Sequence, residues 1–181
     1  MRESRIYCKT AQNLITIKED TMRIFVVSDT HGDLKNAIEL YDRATENGPV
    51  DFIIHCGDFY SDGVRLAQVL GQRVYAVHGN CDGGWGEEFK IVETPAGRII
   101  VIHGHNEDVD FSLDNAVYLA QREKCSAVCY GHTHKADIRE QSGILFVNPG
   151  STRRPRSFDG SSAAVLTADE NGFAASILYL N

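Results

Sequence analysis

The chain has 181 residues, 43% of them hydrophobic and 24% charged, which predicts one globular domain that buries a full core without disulfides or structural metal. The formal net charge of -7 argues against stable binding to nucleic acid or to an anionic membrane, and no apolar run approaches the roughly 20 residues of a membrane span. The five cysteines form no CxxC pair and the N-terminus lacks the apolar stretch of a secretory signal, which predicts reduced thiols in a cytoplasmic protein.

The N-terminal segment, residues 1–21, is polar and has no clear period, whereas a clean apolar strand begins at Met22. We therefore predict a tag-like or disordered extension over residues 1–21 and a single domain over residues 22–181. The alternative is that "NLITI" within the extension adds an edge strand.

From Met22 onward, apolar strands alternate with amphipathic helices. The strand "RIFVV" precedes a helix with Asp33 as its N-cap candidate and Gly48 as its stop. Strands "DFIIH" and "RVYAVH" flank a shorter helix that ends at Gly71, and "PAG" is typical of the turn in a hairpin of "FKIVET" and "RIIVIH".

The second half of the chain is mostly β. After a helix around Leu113 to Lys124, with Asp110 or Ser112 near its start, come five apolar runs: "CSAVCY", "ADIRE", "GILFV", "SAAVLTA" and "FAASILYL". Strands and helices alternate in the first half of the chain, and hairpins follow in the second half. This order predicts a mixed α/β fold in which mixed sheets are flanked by helices.

Similar polar clusters follow five of the strands or apolar runs: "SDTHGD", "CGD", "HGNCD", "HGH" and "YGHTH". Because ligands bind outside the carboxyl ends of strands in open α/β sheets, we expect these clusters to converge in space. Six of the seven histidines lie in the clusters, and His55 directly precedes one, a distribution that core packing explains poorly.

Imidazole, carboxylate and amide groups together suit manganese, iron(II) or zinc, and a ligand set without cysteine argues against a structural zinc site. Roughly seven ligands are too many for one ion with an open position, so we predict two ions that share a carboxylate. Glycine precedes Asp58, Asn80 and His132 and follows His103, which lets the backbone approach the metals closely.

The ordered series "SDTHGD…GD…GNCD…HGH…GHTH", from Asp29 to about Ser151, resembles the calcineurin-like metallophosphoesterase superfamily. The short chain and the GNCD form are similar to its compact bacterial and archaeal phosphodiesterases. This resemblance implies a four-layer fold with two mixed β-sheets sandwiched between helices. It also implies dimetal-dependent hydrolysis of phosphate esters, phosphodiesters above monoesters, by a metal-bound hydroxide.

The resemblance further implies the metal ligands. The first metal would be held by Asp29, His31, Asp58 and His134. The second would be held by Asp58, Asn80, His103 and His132, with Asp58 bridging. Asp58, Asn80 and His103 are accordingly assigned to catalysis, where they hold the hydroxide and the phosphate. Manganese is the favoured metal, and iron, nickel and zinc are the alternatives.

One position departs from the family pattern, because Cys81 stands where many members have a histidine that protonates the leaving group or holds the phosphate. A thiol with an ordinary pKa of about 8.5 is a poor general acid, so we expect better activity on activated esters than on poor leaving groups. The alternative is that Cys81 is a small residue that simply fits.

Besides Asn80 and Cys81, the tentative substrate ligands are Arg153 and Arg154 in "NPGSTRRPR", which are favoured over Arg156. Their alternative is an ordinary solvated loop. The "DGGWGE" stretch around Trp85 is either a mobile rim or a turn with a packed tryptophan.

Three histidines are not assigned as ligands. His55 and His78 are expected to pack or to support the site, and for His105 a supporting role stays open.

In an extended "YGHTH" segment, positions two apart lie about 6.6 Å from each other on one side. We therefore predict that His132 and His134 each serve a different metal while Thr133 points away.

Two other functions stay open. One is a non-catalytic, metal-binding protein-interaction scaffold of the same fold, like a retromer subunit of the superfamily, although every ligand position is intact here. The other is a nuclease, which needs a basic path that this acidic chain lacks. We expect a small phosphate-ester substrate, no membrane partner and a homodimer.

Overall fold

The computed structural model describes residues 21–156 and 158–180. Apart from Thr21, the predicted extension over residues 1–21 lies outside the described residues, and so does the edge strand considered for "NLITI". No helix in the described ranges is long and apolar enough to cross a membrane.

Ten strands and three helices make up the described part of the chain. In chain order they are β1 (Met22–Val27), α1 (Lys35–Thr45), β2 (Phe52–His55), α2 (Tyr60–Leu70), β3 (Val74–Ala76), β4 (Phe89–Thr94), β5 (Gly97–Ile102), α3 (Asp114–Arg122), β6 (Ala127–Cys129), β7 (Ala136–Gln141), β8 (Ile144–Pro149), β9 (Ser162–Asp169) and β10 (Gly172–Tyr179).

The strands form two mixed sheets of five strands each, in the orders β10-β9-β1-β2-β3 and β4-β5-β6-β8-β7. In the first sheet β1, β2 and β3 are parallel, and in the second β5, β6 and β8 are parallel. The outer strands pair antiparallel, including the predicted hairpin of β4 and β5. The predicted mixed sheets are confirmed.

Alternation along β1 shows how the layers are built. Ile24 and Val26 point into the core between the two sheets, whereas Phe25 and Val27 pack against α1 and α2. On the far side of the second sheet, residues such as Ile100 pack against α3. The order is therefore helices, sheet, sheet, helix, which confirms the four-layer fold.

Helix ends differ slightly from prediction. Helix α1 begins at Lys35 with Leu34 as its N-cap residue, so the assignment of Asp33 as N-cap was wrong by one position. The Asp33 side chain still serves the first turn, because its Oδ1 accepts a hydrogen bond from the Lys35 amide at 3.0 Å. Gly71 follows α2 in a left-handed conformation, as a helix stop requires.

The four cysteines in the described ranges are free thiols. Cys56, Cys125 and Cys129 are buried, and Cys81 is exposed.

Candidate metal centre

The turns that follow β1, β2 and β6 bring four side chains together: Asp29, His31, Asp58 and His134. We call this set the first ligand group. One ligand atom from each residue lies within 4.8 Å of those from the other three. The parallel order of the strands explains the convergence, since the carboxyl ends of β1 and β2 meet at one edge of their sheet.

The ligand atoms of this group face one another. Nδ1 of His134 lies 2.8 Å from the Arg154 carbonyl oxygen, to which it donates, so a neutral imidazole presents a lone pair at Nε2. That Nε2 lies 3.1 Å from Oδ1 of Asp29 and 3.2 Å from Nε2 of His31. Oδ1 of Asp29 is buried and accepts no hydrogen bond from the residues that the structure describes. Converging lone pairs around a buried carboxylate fit a cation.

A second ligand group joins Asp58 to Asn80, His103 and His132. Oδ1 of Asn80 lies 3.1 Å from both Nε2 of His103 and Nδ1 of His132. Nδ1 of His103 lies 2.7 Å from the Cys56 carbonyl oxygen, to which it donates, so Nε2 is again the free lone pair.

The Asp58 carboxylate lies between the two groups. Its Oδ2 is 3.5 Å from Nδ1 of His31, and its Oδ1 is 3.8 Å from Nε2 of His103. The side chain is almost fully buried, at 4% exposure, and within the described ranges no lysine or arginine is paired with it. A buried carboxylate flanked by two sets of lone pairs is what a shared ligand between two cations requires.

One contact of the second group was missed by the sequence analysis. Oδ2 of Asp110 lies 2.9 Å from Nε2 of His132. When Nε2 donates to this carboxylate, Nδ1 of His132 is left as the acceptor that faces Asn80. Asp110 belongs to the loop before α3 and was considered there only as a residue near the helix start. No motif links it to His132, so no sequence signal marked the pair.

Burial sets the protonation of several histidines. Burial lowers the pKa of His31 and of His103, in both cases against the opposing effect of nearby carboxylates. Both imidazoles are therefore neutral at neutral pH and free to bind a cation. The contact with Asp29 raises the pKa of His134, so a proton and a cation compete for that residue.

His55 forms hydrogen bonds with the turns that follow β1 and β2. It is completely buried, which lowers its pKa to about 4. Its Nδ1 accepts a hydrogen bond from the Gly57 amide at 3.2 Å, and its Nε2 lies 3.1 Å from Oγ1 of Thr30. Oγ1 of Thr30 donates to the buried carboxylate of Asp62 at 2.7 Å. This chain of hydrogen bonds braces the turns that carry the first ligand group.

Five of the seven predicted ligands have a positive φ: Asp29 (53°), His31 (46°), Asp58 (61°), His132 (70°) and His134 (58°). The left-handed region costs a non-glycine residue on the order of 1 kcal/mol, and such residues cluster at functional sites. The expectation of an extended "YGHTH" segment was therefore wrong.

A tertiary contact explains the bent "YGHTH" segment. Nδ2 of Asn148 donates to the Gly131 carbonyl and to Oγ1 of Thr133, each at 3.0 Å. These bonds hold the segment in a turn, and the two rings diverge: His132 faces Asn80, and His134 faces Asp29.

Two glycines allow the turns to approach one another. A side chain at Gly79 would collide with the Asp58 backbone, and one at Gly131 would collide with Ser28 and Asp29. The predicted close approach is thus present at these two positions.

The tentative substrate ligands lie around the centre. Cys81 is exposed, and its amide donates to Oδ1 of Asp58 at 2.9 Å. Interaction with that carboxylate raises the pKa of the Cys81 thiol to about 11. Arg154 is exposed and lies close enough to His31 to oppose its protonation, whereas Arg153 is 3.4 Å from an oxygen of Asp33.

Three further residues of the polar motifs and the Gly-rich stretch differ in burial, and of these His78 is buried. Nδ1 of His105 is buried without a hydrogen bond, and its ring centroid lies 5.3 Å from that of His103 and 6.0 Å from that of His78. The Trp85 side chain is 81% exposed, which excludes the packed alternative for this tryptophan.

The family model described as the calcineurin-like phosphoesterase superfamily domain matches residues 22–171. The chain belongs to this superfamily. It is 32% identical over 151 residues to the protein named "Probable metallophosphoesterase YsnB" of Bacillus subtilis, which covers 83% of the chain and 86% of that relative. It is also 32% identical over 149 residues to phosphodiesterase MJ0936 of Methanocaldococcus jannaschii, with 71% of the chain and 83% of the relative covered.

Two solved structures share this fold. A predicted phosphoesterase from Streptococcus pneumoniae superposes with a TM-score of 0.74 at 31% identity, covering 88% of this chain and 90% of its own. Vacuolar Protein Sorting 29 from Cryptosporidium parvum reaches 0.70 at 19% identity, covering 90% and 93%, a likeness that concerns the fold alone. Taken with the curated relatives, these findings identify the chain as a metal-dependent phosphoesterase, a hydrolase.

Proposed function

We propose that this superfamily member hydrolyses phosphodiesters with two divalent cations, one in each ligand group. The observation that carries the proposal is the position of Asp58, whose two oxygens face His31 of the first group and His103 of the second. Manganese is the favoured metal, because imidazole, carboxylate and amide donors without thiolate suit it. Iron, nickel and zinc are the alternatives.

The reaction adds water across one ester bond. An oxygen from water becomes bonded to phosphorus, the bond from phosphorus to one ester oxygen breaks, and a proton passes to that departing oxygen. When bound, the cations supply the Lewis acidity that makes water nucleophilic as hydroxide at neutral pH and that balances charge on the phosphoryl oxygens.

The residues of the chain orient the reactants. Asp58, Asn80 and His103 hold the centre of the site, where hydroxide and phosphate meet. Arg154, with Arg153 beside it, offers guanidinium donors from the adjacent loop. The name of the archaeal relative, a phosphodiesterase, supports a preference for diesters. Cys81 supports it as well, because this position has no imidazole that could protonate a poor leaving group.

Metal-free protein, reloaded separately with each divalent metal, tests the proposal on bis(p-nitrophenyl) phosphate and p-nitrophenyl phosphate. We expect activity only after loading, highest with manganese and higher on the diester. Asp58→Asn should lose activity and bind less metal, whereas Asp42→Asn, an exposed position on α1, should retain both. Metal binding without turnover of either ester would contradict the proposal and favour the scaffold function.

The proposal also includes a cytoplasmic location, a small phosphate-ester substrate and a homodimer. The four free cysteines in the described part of the chain support a reducing compartment. Light scattering coupled to size-exclusion chromatography would decide the assembly, since a monomer at micromolar concentration contradicts the dimer.

A further inference from the structure

A cavity of about 390 Å³ opens beside His132, between the loop of residues 109–113 and the segment that leads into β7. Asp110 lines this cavity and also lies 2.9 Å from Nε2 of His132. Thr133, which separates His132 from His134 in the sequence, lines it too. A molecule bound in the cavity therefore adjoins the candidate metal centre, and we call this space the arm cavity.

One wall of the arm cavity is formed by β7 and by Lys135, which precedes it. Lys135, Asp137, Arg139 and Gln141 line the arm cavity and alternate along the chain, so they share one face. The Asp137 carboxylate is bonded to Arg139 and to the Tyr130 hydroxyl. The Lys135 ammonium forms no ion pair with any residue in the described ranges, which leaves it available to an anion.

The opposite wall carries an exposed aromatic ring. Phe111 lines the arm cavity with its side chain 92% exposed, although burial of such a ring is ordinarily favourable. Tyr130, which also lines the cavity, is buried at 4% exposure. A flat ring that enters between these elements would cover Phe111 and gain stacking contacts. The volume lies in the range of small-molecule sites and is too small for a folded macromolecule.

We propose that the arm cavity binds the ester arm that stays on phosphorus, and that this arm is an aromatic or heteroaromatic ring bearing an anionic group. The ring stacks on Phe111, and the anion pairs with Lys135. The departing oxygen gains negative charge as its bond breaks, which the Asp110 carboxylate beside His132 would oppose. The retained ester oxygen gains no charge, and the anion that the arm carries is paired with Lys135. This inference rests on the proposed phosphodiesterase function and names the substrate class of that same site.

Three diesters with the same p-nitrophenolate leaving group test the inference on manganese-loaded protein. Their retained arms are methyl, phenyl and 4-carboxyphenyl. Each variant is compared with the wild type on each ester, so differences in intrinsic reactivity cancel. Phe111→Ala should lower kcat/KM about fivefold for both aryl esters and leave the methyl ester unchanged. Lys135→Ala should lower it about fivefold for the 4-carboxyphenyl ester alone, and Lys135→Arg should restore it.

Tyr118→Ala is the matched control, because Tyr118 is an exposed aromatic residue on α3 that does not line the arm cavity. It should leave all three esters unchanged. Equal losses on all three esters in Phe111→Ala, or no loss on any, would overturn the inference while leaving the phosphodiesterase activity established.

Lack of turnover of every diester would refute the proposed function. A binding measurement then still tests whether the arm cavity holds the ring and its anion. Calorimetry with 4-carboxyphenyl phosphate and methyl phosphate on metal-loaded protein should give a tighter Kd for the aryl compound. Phe111→Ala and Lys135→Ala should each weaken that binding about fivefold. Equal affinity for the two phosphates, or unchanged affinity in both variants, would overturn the inference.

Discussion

Oδ2 of Asp110 lies 2.9 Å from Nε2 of His132, and Nδ1 of the same ring faces Oδ1 of Asn80 at 3.1 Å. The carboxylate thus fixes which nitrogen of His132 is free to bind a cation. Hydrogen-bonded partners of this kind raise ligand basicity and hold the ring, and their loss typically weakens metal affinity by about 10- to 100-fold.

We therefore predict that Asp110→Ala weakens binding of one of two manganese ions at least about tenfold and leaves the other unchanged. Among the predicted ligands, His132 is the residue paired with Asp110, and it belongs to the second ligand group. Calorimetric titration of the metal-free protein measures both affinities. Asp108→Asn, a neighbouring exposed carboxylate with no bond to a ligand, is the control. Equal weakening of both ions would contradict the assignment.

The two histidines of "YGHTH" should act on different ions. His134 faces Asp29 and His31, whereas His132 faces Asn80. We expect His134→Ala to lose the ion of the first ligand group and His132→Ala to lose that of the second. Metal counting after dialysis, combined with manganese electron paramagnetic resonance to separate the environments, would decide this. Identical residual spectra in both variants would show that the histidines share one ion.

How far the sequence predicts this site depends on the kind of contact. The polar clusters that contain Asp29 and His103 could be located because they follow apolar strands, and parallel strands bring their carboxyl ends together. The resemblance to the superfamily then singled out the individual ligands within those clusters. The bend at His132 could not be predicted, because it depends on Asn148 of β8, a contact between distant segments. The Asp110 contact depends in the same way on where the loop before α3 lies.

The left-handed backbone at His132 predicts that glycine is a more stabilising replacement there than alanine. With a φ of 70°, this position favours glycine over alanine, so metal-free His132→Gly should be more stable than His132→Ala by about 1 kcal/mol. Urea denaturation of both metal-free variants measures the difference. Thr133 has no positive φ, so Thr133→Gly should be less stable than Thr133→Ala. If the glycine variant is less stable than the alanine variant at His132 as well as at Thr133, the left-handed backbone at His132 is contradicted.

Cys81 predicts a restriction on the leaving group. Its thiol has a pKa raised to about 11 by interaction with Asp58, and it has no imidazole with which to protonate a departing alkoxide. We expect Cys81→His to raise the rate on phenyl or alkyl esters at least about tenfold more than on p-nitrophenyl esters. Cys81→Ser should change neither. Parallel rate changes on both ester classes would show that position 81 does not act on the leaving group.

Buried His55 makes the stability of the metal-free protein sensitive to acid. Burial lowers its pKa from 6.5 to about 4, so the unfolded chain binds a proton in this interval that the folded chain excludes. The stabilisation is fully present above pH 6.5 and is lost as the pH falls towards 4, a difference of about 3 kcal/mol.

We expect His55→Asn to reduce that pH dependence, because asparagine does not titrate while its Oδ1 can still accept the Gly57 amide bond made by Nδ1. Urea denaturation at a series of pH values between 4 and 7 measures the free energy of unfolding of both proteins. Asn115→Ala, at an exposed position without a titratable side chain, is the control and should keep the wild-type slope. If His55→Asn has the wild-type slope, His55 takes up its proton equally in the folded and unfolded chains, and the acid sensitivity arises from the ligand histidines instead.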